Sequence, residues 1–311
     1  MKTAIKVLVA IDGSGQSLAA VRYIGGVLNP EKTKIVLFHV DSGIPESFWD
    51  LEKSPKFRSK LAPVRAWADQ QKKSIDNTMT KAGKILFNSG FPTNAVTVKI
   101  QTRKTGITRD ILHEAETGEY KMVVVGRTGT SYFKDLILGS VANKLIGKLV
   151  SIPLVVVGGK PSPNKFIIAF DGSKGSMRSV SSVAAILNNA DSEIMICHVI
   201  RSIGIEIMAS SEIPFPEFDW TETCVRKIEP AIEEAKRKLV SAGLDPAKIS
   251  GKILTEKPSR AGGIIAEAKA GGFGTIVVGR RGLSVVEEFF IGRVSRKILH
   301  MAKKMAVWVI N

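Results

Sequence analysis

The sequence predicts an α/β protein built from two tandem open doubly wound domains. Each is expected to be a five-stranded, mostly parallel sheet with helices on both faces. Three observations carry this expectation. Short β-branched apolar runs alternate with helical stretches of about ten residues or more. The runs are apolar from end to end rather than alternating, as strands covered on both faces are. The whole pattern also occurs twice. "KVLVAIDGSGQSLAAVRYI" at 6–24 aligns with "KFIIAFDGSKGSMRSVSSV" at 165–183, and "KIVLFHV" at 34–40 with "EIMICHV" at 193–199. Later in the chain, "MVVVGRTG" at 122–129 aligns with "TIVVGRRG" at 275–282, and "LILGSVANKLI" at 136–146 with "FFIGRVSRKIL" at 289–299. A repeat of this length is one complete structural unit copied.

The elements of the first copy follow in order. Residues 5–11 read as a buried strand, and "DGSGQS" as a turn with capping residues ahead of a helix reaching about Leu28. A strand is expected at 34–40, then a loop across 41–59 containing Pro45 and Pro55. A long helix follows over 61–89, a strand over 95–101, a helix over 106–117 and a strand over 121–125. After a glycine-containing loop come a helix at 140–150 and a last strand at 153–157. The expected boundaries are 1–158 for the first domain, 159–164 for the Gly/Pro-rich linker and 165–311 for the second.

Composition narrows the function. Hydrophobic residues make up 44% and charged residues 24% of 311, ordinary for globular domains with buried cores. The two cysteines, Cys197 and Cys224, form no C-x-x-C motif, which argues against a disulfide framework or zinc site. The apolar run 7–11 ends at Asp12, too short for a signal peptide, and no run approaches the roughly 18 residues of a membrane span. A cytoplasmic protein with no membrane association is therefore expected. The net charge of +16 favours anionic partners, but the basic residues are scattered and no RNA-binding aromatic signature accompanies them. Nucleic acid is thus not the expected partner.

The stretch with most chemical content is "VVVGRTGTSYFKDLILGSV", 123–141. Ligands of open α/β sheets bind beyond the carboxyl ends of strands, at a topological switch point. Gly126 could turn sharply there, and Gly129 would let the backbone approach a ligand. Gly139 and Ser140 stand where a helix begins and free N–H groups favour anions. The spacing is neither a Walker loop nor a dinucleotide fingerprint, and a structural turn and a phosphate site are both compatible with it. Arg127, between the glycines, faces either phosphate or solvent.

Taken together, Gly-x2-Gly-x9-Gly-Ser after a strand and a first strand ending in Asp-Gly-Ser resemble the universal stress protein family. The resemblance covers nearly the whole chain, twice. In the nucleotide-binding branch of that family it implies an ATP site, with ADP or AMP as alternatives and Mg²⁺ as a possible companion. It implies Asp12 near the ribose or base, and Ala10, Ile11 and Val40 lining the base. Val125, Gly126, Thr128 and Gly129 would border ribose and phosphates, and Gly139, Ser140, Val141 and Ala142 would take the phosphates. In the second copy the matching positions are Ala169, Phe170, Asp171, Val199, Val278, Gly279, Arg281, Gly282, Gly292, Arg293, Val294 and Ser295. There Arg293 replaces the serine; it pairs with a phosphate, fills the pocket or swings out to solvent, and Ser295 is the alternative hydroxyl. The resemblance further implies an intramolecular pseudo-dimer in which the two halves cover each other's last strand, 153–157 and 306–310. It leaves room for a homo-dimer and an unidentified protein partner.

No Walker lysine accompanies the loop, and no Mg²⁺-binding carboxylate pair beyond Asp12, so fast hydrolysis is not expected. Slow hydrolysis or autophosphorylation stays open. The main reading is an adenine-nucleotide-binding stress-response regulator or protective factor. The alternatives are an interaction module that binds no nucleotide and a basic nucleic-acid-associating protein. His39 and His198 read as matching sheet-end residues, and Cys197 as a core residue.

Overall fold

The structure, a computed structural model, describes residues 4–43, 58–129, 138–187, 191–201, 220–280 and 291–311, and for 58–62 the backbone only. The first half runs β1 (Ile5–Ala10), α1 (Gly15–Val27), β2 (Thr33–Asp41), α2 (Arg58–Asn88), β3 (Val96–Thr102), α3 (Ile107–Thr117), β4 (Met122–Gly126), α4 (Ser140–Lys148) and β5 (Leu154–Val157). The second half repeats it as β6 (Lys165–Ala169), α5 (Lys174–Ile186), β7 (Glu193–Arg201), α6 (Trp220–Ser241), β8 (Ile249–Lys257), α7 (Arg260–Ala270), β9 (Thr275–Gly279), α8 (Arg293–Met301) and β10 (Ala306–Ile310).

Within each half every strand pairing is parallel, in the order β3-β2-β1-β4-β5 and its counterpart β8-β7-β6-β9-β10. The chain leaves β1 toward β2 and returns on the other side of β1 as β4, so the switch point lies between the carboxyl ends of β1 and β4.

The two expected five-stranded sheets do not stay separate. Among the described residues they form one ten-stranded sheet, joined where β5 and β10 pair antiparallel, Leu154 opposite Val309 and Val157 opposite Ala306. The reason is the strands themselves: Leu154–Val157 and Ala306–Ile310 are buried along their whole length. An apolar strand left at an edge would expose a row of unpaired N–H and C=O groups. Each covers the other's edge.

Side chains alternate across the sheet, Val7 and Val9 entering one core and Leu8 the other. Both cores contain residues of both halves, so the apolar interior is continuous across the junction. At the junction Trp308 is fully buried and packs edge-on against Phe166, with ring centroids 5.6 Å apart. Its Nε1 donates to the Tyr23 hydroxyl at 2.8 Å, which lies 2.6 Å from Thr275 Oγ1. Tyr23 comes from α1 of the first half, and burial raises its hydroxyl pKa above the ordinary range. Among the described residues no helix is long and apolar enough to cross a membrane.

The turn into α3 is organised by a buried carboxylate. Asp110 accepts the backbone N–H groups of Lys104 at 2.8 Å and Thr105 at 3.0 Å, and the Thr105 hydroxyl at 2.8 Å. One turn on, Glu114 accepts Lys99 Nζ at 2.6 Å and the Tyr120 hydroxyl at 2.7 Å. Burial alone would raise both carboxyls, but these donors outweigh it and hold both below their usual values.

Two outcomes follow for stability. Tyr23→Phe strands the Trp308 N–H without its acceptor and is expected to cost about 1–3 kcal/mol, read as a lower denaturant midpoint. The depressed carboxyls mean that the folded state binds fewer protons than the unfolded one in acid. Their stabilisation is complete above the unfolded values near ~4 and is lost as pH falls through the lower folded values. The midpoint is therefore expected to fall steeply below about pH 4, and Asp110→Asn should flatten that fall while lowering stability at neutral pH.

Candidate functional site

A cavity of about 520 Å³ opens at the carboxyl ends of β1, β2 and β4 in the first half. All twelve first-half residues singled out in the sequence line it: Ala10, Ile11 and Asp12 at the carboxyl end of β1, Val40 on β2, Val125, Gly126, Thr128 and Gly129 at the carboxyl end of β4 and just beyond it, and Gly139, Ser140, Val141 and Ala142 at the start of α4. Three stretches of chain distant in sequence thus converge on one space. Its apolar wall is completed by Phe38, Ile75, Ile107 and Ile111, and Trp67 and Gln71 of α2 reach it from the mouth. Sequence reasoning missed the α2 and α3 contributions, because nothing in a helix's own periodicity says which cavity its buried face borders.

Local chemistry positions the polar end. Asp12 Oδ1 accepts the Ser14 backbone N–H at 3.0 Å and the Ser14 hydroxyl at 2.6 Å. Ser14 in turn caps α1 by accepting the Ser17 N–H at 3.1 Å. Asp12 is therefore both a turn-former and a residue of the cavity. Gly13 makes this turn possible with φ +86°, a conformation that L side chains rarely adopt. The same device recurs in the second half through Asp171, Gly172 at φ +75°, and Ser173.

The loop glycines are needed for close approach rather than for unusual backbone angles. Gly126, expected to turn sharply, has no positive φ; its Cα faces the backbone of Gln16 and Ser17, where a Cβ would sit 3.0–3.1 Å away. A Cβ on Gly129 would lie 2.5 Å from Asp12 Oδ2, so the bare backbone at this point faces the free side of that carboxylate. Gly139 packs on the Arg127 carbonyl and donates its N–H to it at 2.8 Å. As N-cap of α4 it makes no side-chain cap bond, so Ser140, Val141 and Ala142 present the first turn of the helix to the cavity without one.

Arg127 faces neither phosphate nor solvent. It is 4% exposed, and its guanidinium donates to the carbonyls of Leu299, His300 at 3.1 Å and Ala302 at 3.4 Å, at the carboxyl end of α8 in the other half. Burial lowers its pKa, but a guanidinium starts far above neutrality and stays charged. Arg280 mirrors it, donating to Gly147 O and Leu149 O, both at 3.2 Å, at the end of α4. A cation at a helix carboxyl terminus is favoured by the helix dipole, and neither residue's motif showed that its target lay in the other half.

In the second half, Ala169, Phe170, Asp171, Val199, Val278, Gly279, Gly292, Arg293, Val294 and Ser295 hold the corresponding positions at the carboxyl ends of β6, β7 and β9 and at the start of α8. Arg281 and Gly282 lie outside the described residues. Arg293 is exposed, and the Ser295 hydroxyl donates inward to the Gly279 carbonyl at 2.7 Å. His39 and His198 each place Nδ1 on a neighbouring strand-end carbonyl, Ile11 O at 2.7 Å and Phe170 O at 2.8 Å. Burial and Arg260 lower the His198 pKa against the opposing pull of that carbonyl and Asp171. Cys197 is fully buried in the core, its thiol pushed up to about 12 by burial. Among the described residues no group of three or more His, Cys, Asp or Glu side chains is gathered as a metal centre.

Comparison with known proteins places both halves in one lineage. The profile of the universal stress protein family matches residues 5–158 and again 163–311. A universal stress protein of Mycolicibacterium smegmatis is 24% identical over 308 residues, covering 95% of this chain and 94% of its own. One of Bacillus subtilis, 24% identical over 143 residues, matches 45% of this chain with 93% of its own length. A solved universal stress protein of Archaeoglobus fulgidus shares the fold with a TM-score of 0.63 at 18% identity, covering 98% of each chain.

Proposed function

The chain belongs to the universal stress protein family, and from that premise we propose that the first-half cavity binds an adenine nucleotide, with ATP the expected ligand. The observation that carries this reading is the convergence of twelve residues from three separate stretches on one cavity of about 520 Å³. That volume falls within the roughly 300–1,000 Å³ of small-molecule sites. The apolar wall of Ile11, Val40, Ile107 and Ile111 suits a purine. The N-terminal turn of α4 and the Ser140 hydroxyl suit the phosphates. Asp12, with one oxygen held by Ser14 and the other beside Gly129, suits the ribose hydroxyls or a Mg²⁺ carried by the phosphates.

Among the described residues, the cavity lining includes no lysine or arginine to neutralise charge building up in phosphoryl transfer. The protein is read accordingly as a nucleotide-dependent regulator or protective factor of the cytoplasm rather than a fast ATPase. The second half carries the same reading in altered form, since exposed Arg293 stands where Ser140 stands in the first half.

Counting adenine nucleotide released by denaturing freshly purified protein, then titrating ATP into emptied protein, tests this directly. One nucleotide per chain is expected if the first half alone binds, and two if Arg293 serves as a phosphate ligand. No bound nucleotide and no saturable ATP binding would sink the reading and leave an interaction module. Salt-sensitive RNA or DNA binding in that case would favour the basic-surface alternative. Gly129→Val is expected to weaken ATP binding about tenfold or more by displacing the Asp12 carboxylate. It should leave the melting temperature nearly unchanged, because the displaced atom is the end of an exposed side chain.

A further inference from the structure

We propose that Arg280 of the second half is a positioning residue for the anion-binding end of the first-half cavity, so that this site is completed by a side chain from the other half. The proposal rests on the nucleotide reading above and goes beyond it.

The observation behind it is a closed ring. The Arg127 carbonyl accepts the N–H of Gly139, which starts α4. At the far end of α4, the carbonyls of Gly147 and Leu149 accept the Arg280 guanidinium. The Arg280 carbonyl accepts the N–H of Gly292 at 2.7 Å, which starts α8. The carbonyls at the far end of α8 accept the Arg127 guanidinium. Each helix is thus gripped at its N-cap by the main chain of one arginine and at its carboxyl end by the side chain of the other.

α4 has nine residues, only about 13 Å of helix. Its first turn faces the cavity, and small rotations of so short a rod displace the N–H groups there. The buried side chains Ala142, Leu145 and Ile146 hold one face against the core. Arg280, 5% exposed, fixes the opposite end and places a buried positive charge at the negative pole of the helix. The effect on a ligand should fall on its charged part, because the base rests against strands and against α2 and α3, none of which Arg280 touches through these bonds. An arginine that merely joined the halves would affect stability without distinguishing charged from uncharged ligands.

The experiment titrates ATP and adenosine into wild type, Arg280→Met and Arg280→Lys, taking as the first-half signal the binding that Gly129→Val weakens. Arg280→Met is expected to weaken ATP about tenfold, within the usual range of coupling between sites, and adenosine less than about twofold, with Arg280→Lys between wild type and Met. Equal ATP affinity in all three proteins overturns the proposal, and so does a parallel loss of ATP and adenosine. If Arg280→Met fails to fold, Arg280→Lys decides alone: a severalfold change in the ATP-to-adenosine ratio supports the proposal, and an unchanged ratio overturns it. Wild-type protein that binds neither ligand overturns the nucleotide reading itself and this proposal with it.

Discussion

The antiparallel pairing of β5 with β10 is the constraint on which the rest of the structure depends. Neither strand has a polar face, so neither can end a sheet in water. Their union turns two repeats into one ten-stranded sheet with apolar cores that cross the junction. It also brings the end of each half's last helix beside the glycine loop of the other, which is the geometry that Arg127 and Arg280 exploit. The Tyr23–Trp308–Thr275 contact seals one face of the same seam with polar groups that find partners across it.

One loop consequently serves two purposes. Gly126, Thr128 and Gly129 border the cavity, while Arg127 between them turns away into the junction. Successive residues of an extended segment point to opposite sides, so a stretch leaving a strand can line a ligand space and grip a neighbouring element at once. The closeness of Gly126 to the backbone of Gln16 and Ser17, and of Gly139 to the Arg127 carbonyl, shows why small residues are needed there even without a ligand.

The halves have kept their scaffold and diverged at their mouths. Asp12 and Asp171 organise the same turn, His39 and His198 the same strand-end bond, and Arg127 and Arg280 the same reach across the seam. The residues facing outward at the ligand end differ, Arg293 for Ser140 and Arg260 for Ile107. Positions that answer to internal geometry are held by packing, whereas positions at the open end are not constrained by it.

Much of this was legible in the residues alone. Apolar runs and helical periods, repeated in order, determined the parallel doubly wound halves, because strands buried on both faces admit few other residues. The glycine spacing and Asp-Gly-Ser turn located the first cavity, because ligand space in such sheets lies where these motifs fall. Tertiary structure alone decided the rest. Gly126 avoids positive φ, the helix faces of α2 and α3 complete the cavity, and Arg127 serves the other half instead of its own site. Local sequence records how a segment folds and which side it buries. It does not record what arrives from more than a hundred residues away to meet it, and the partners of a buried cation are settled by that arrival.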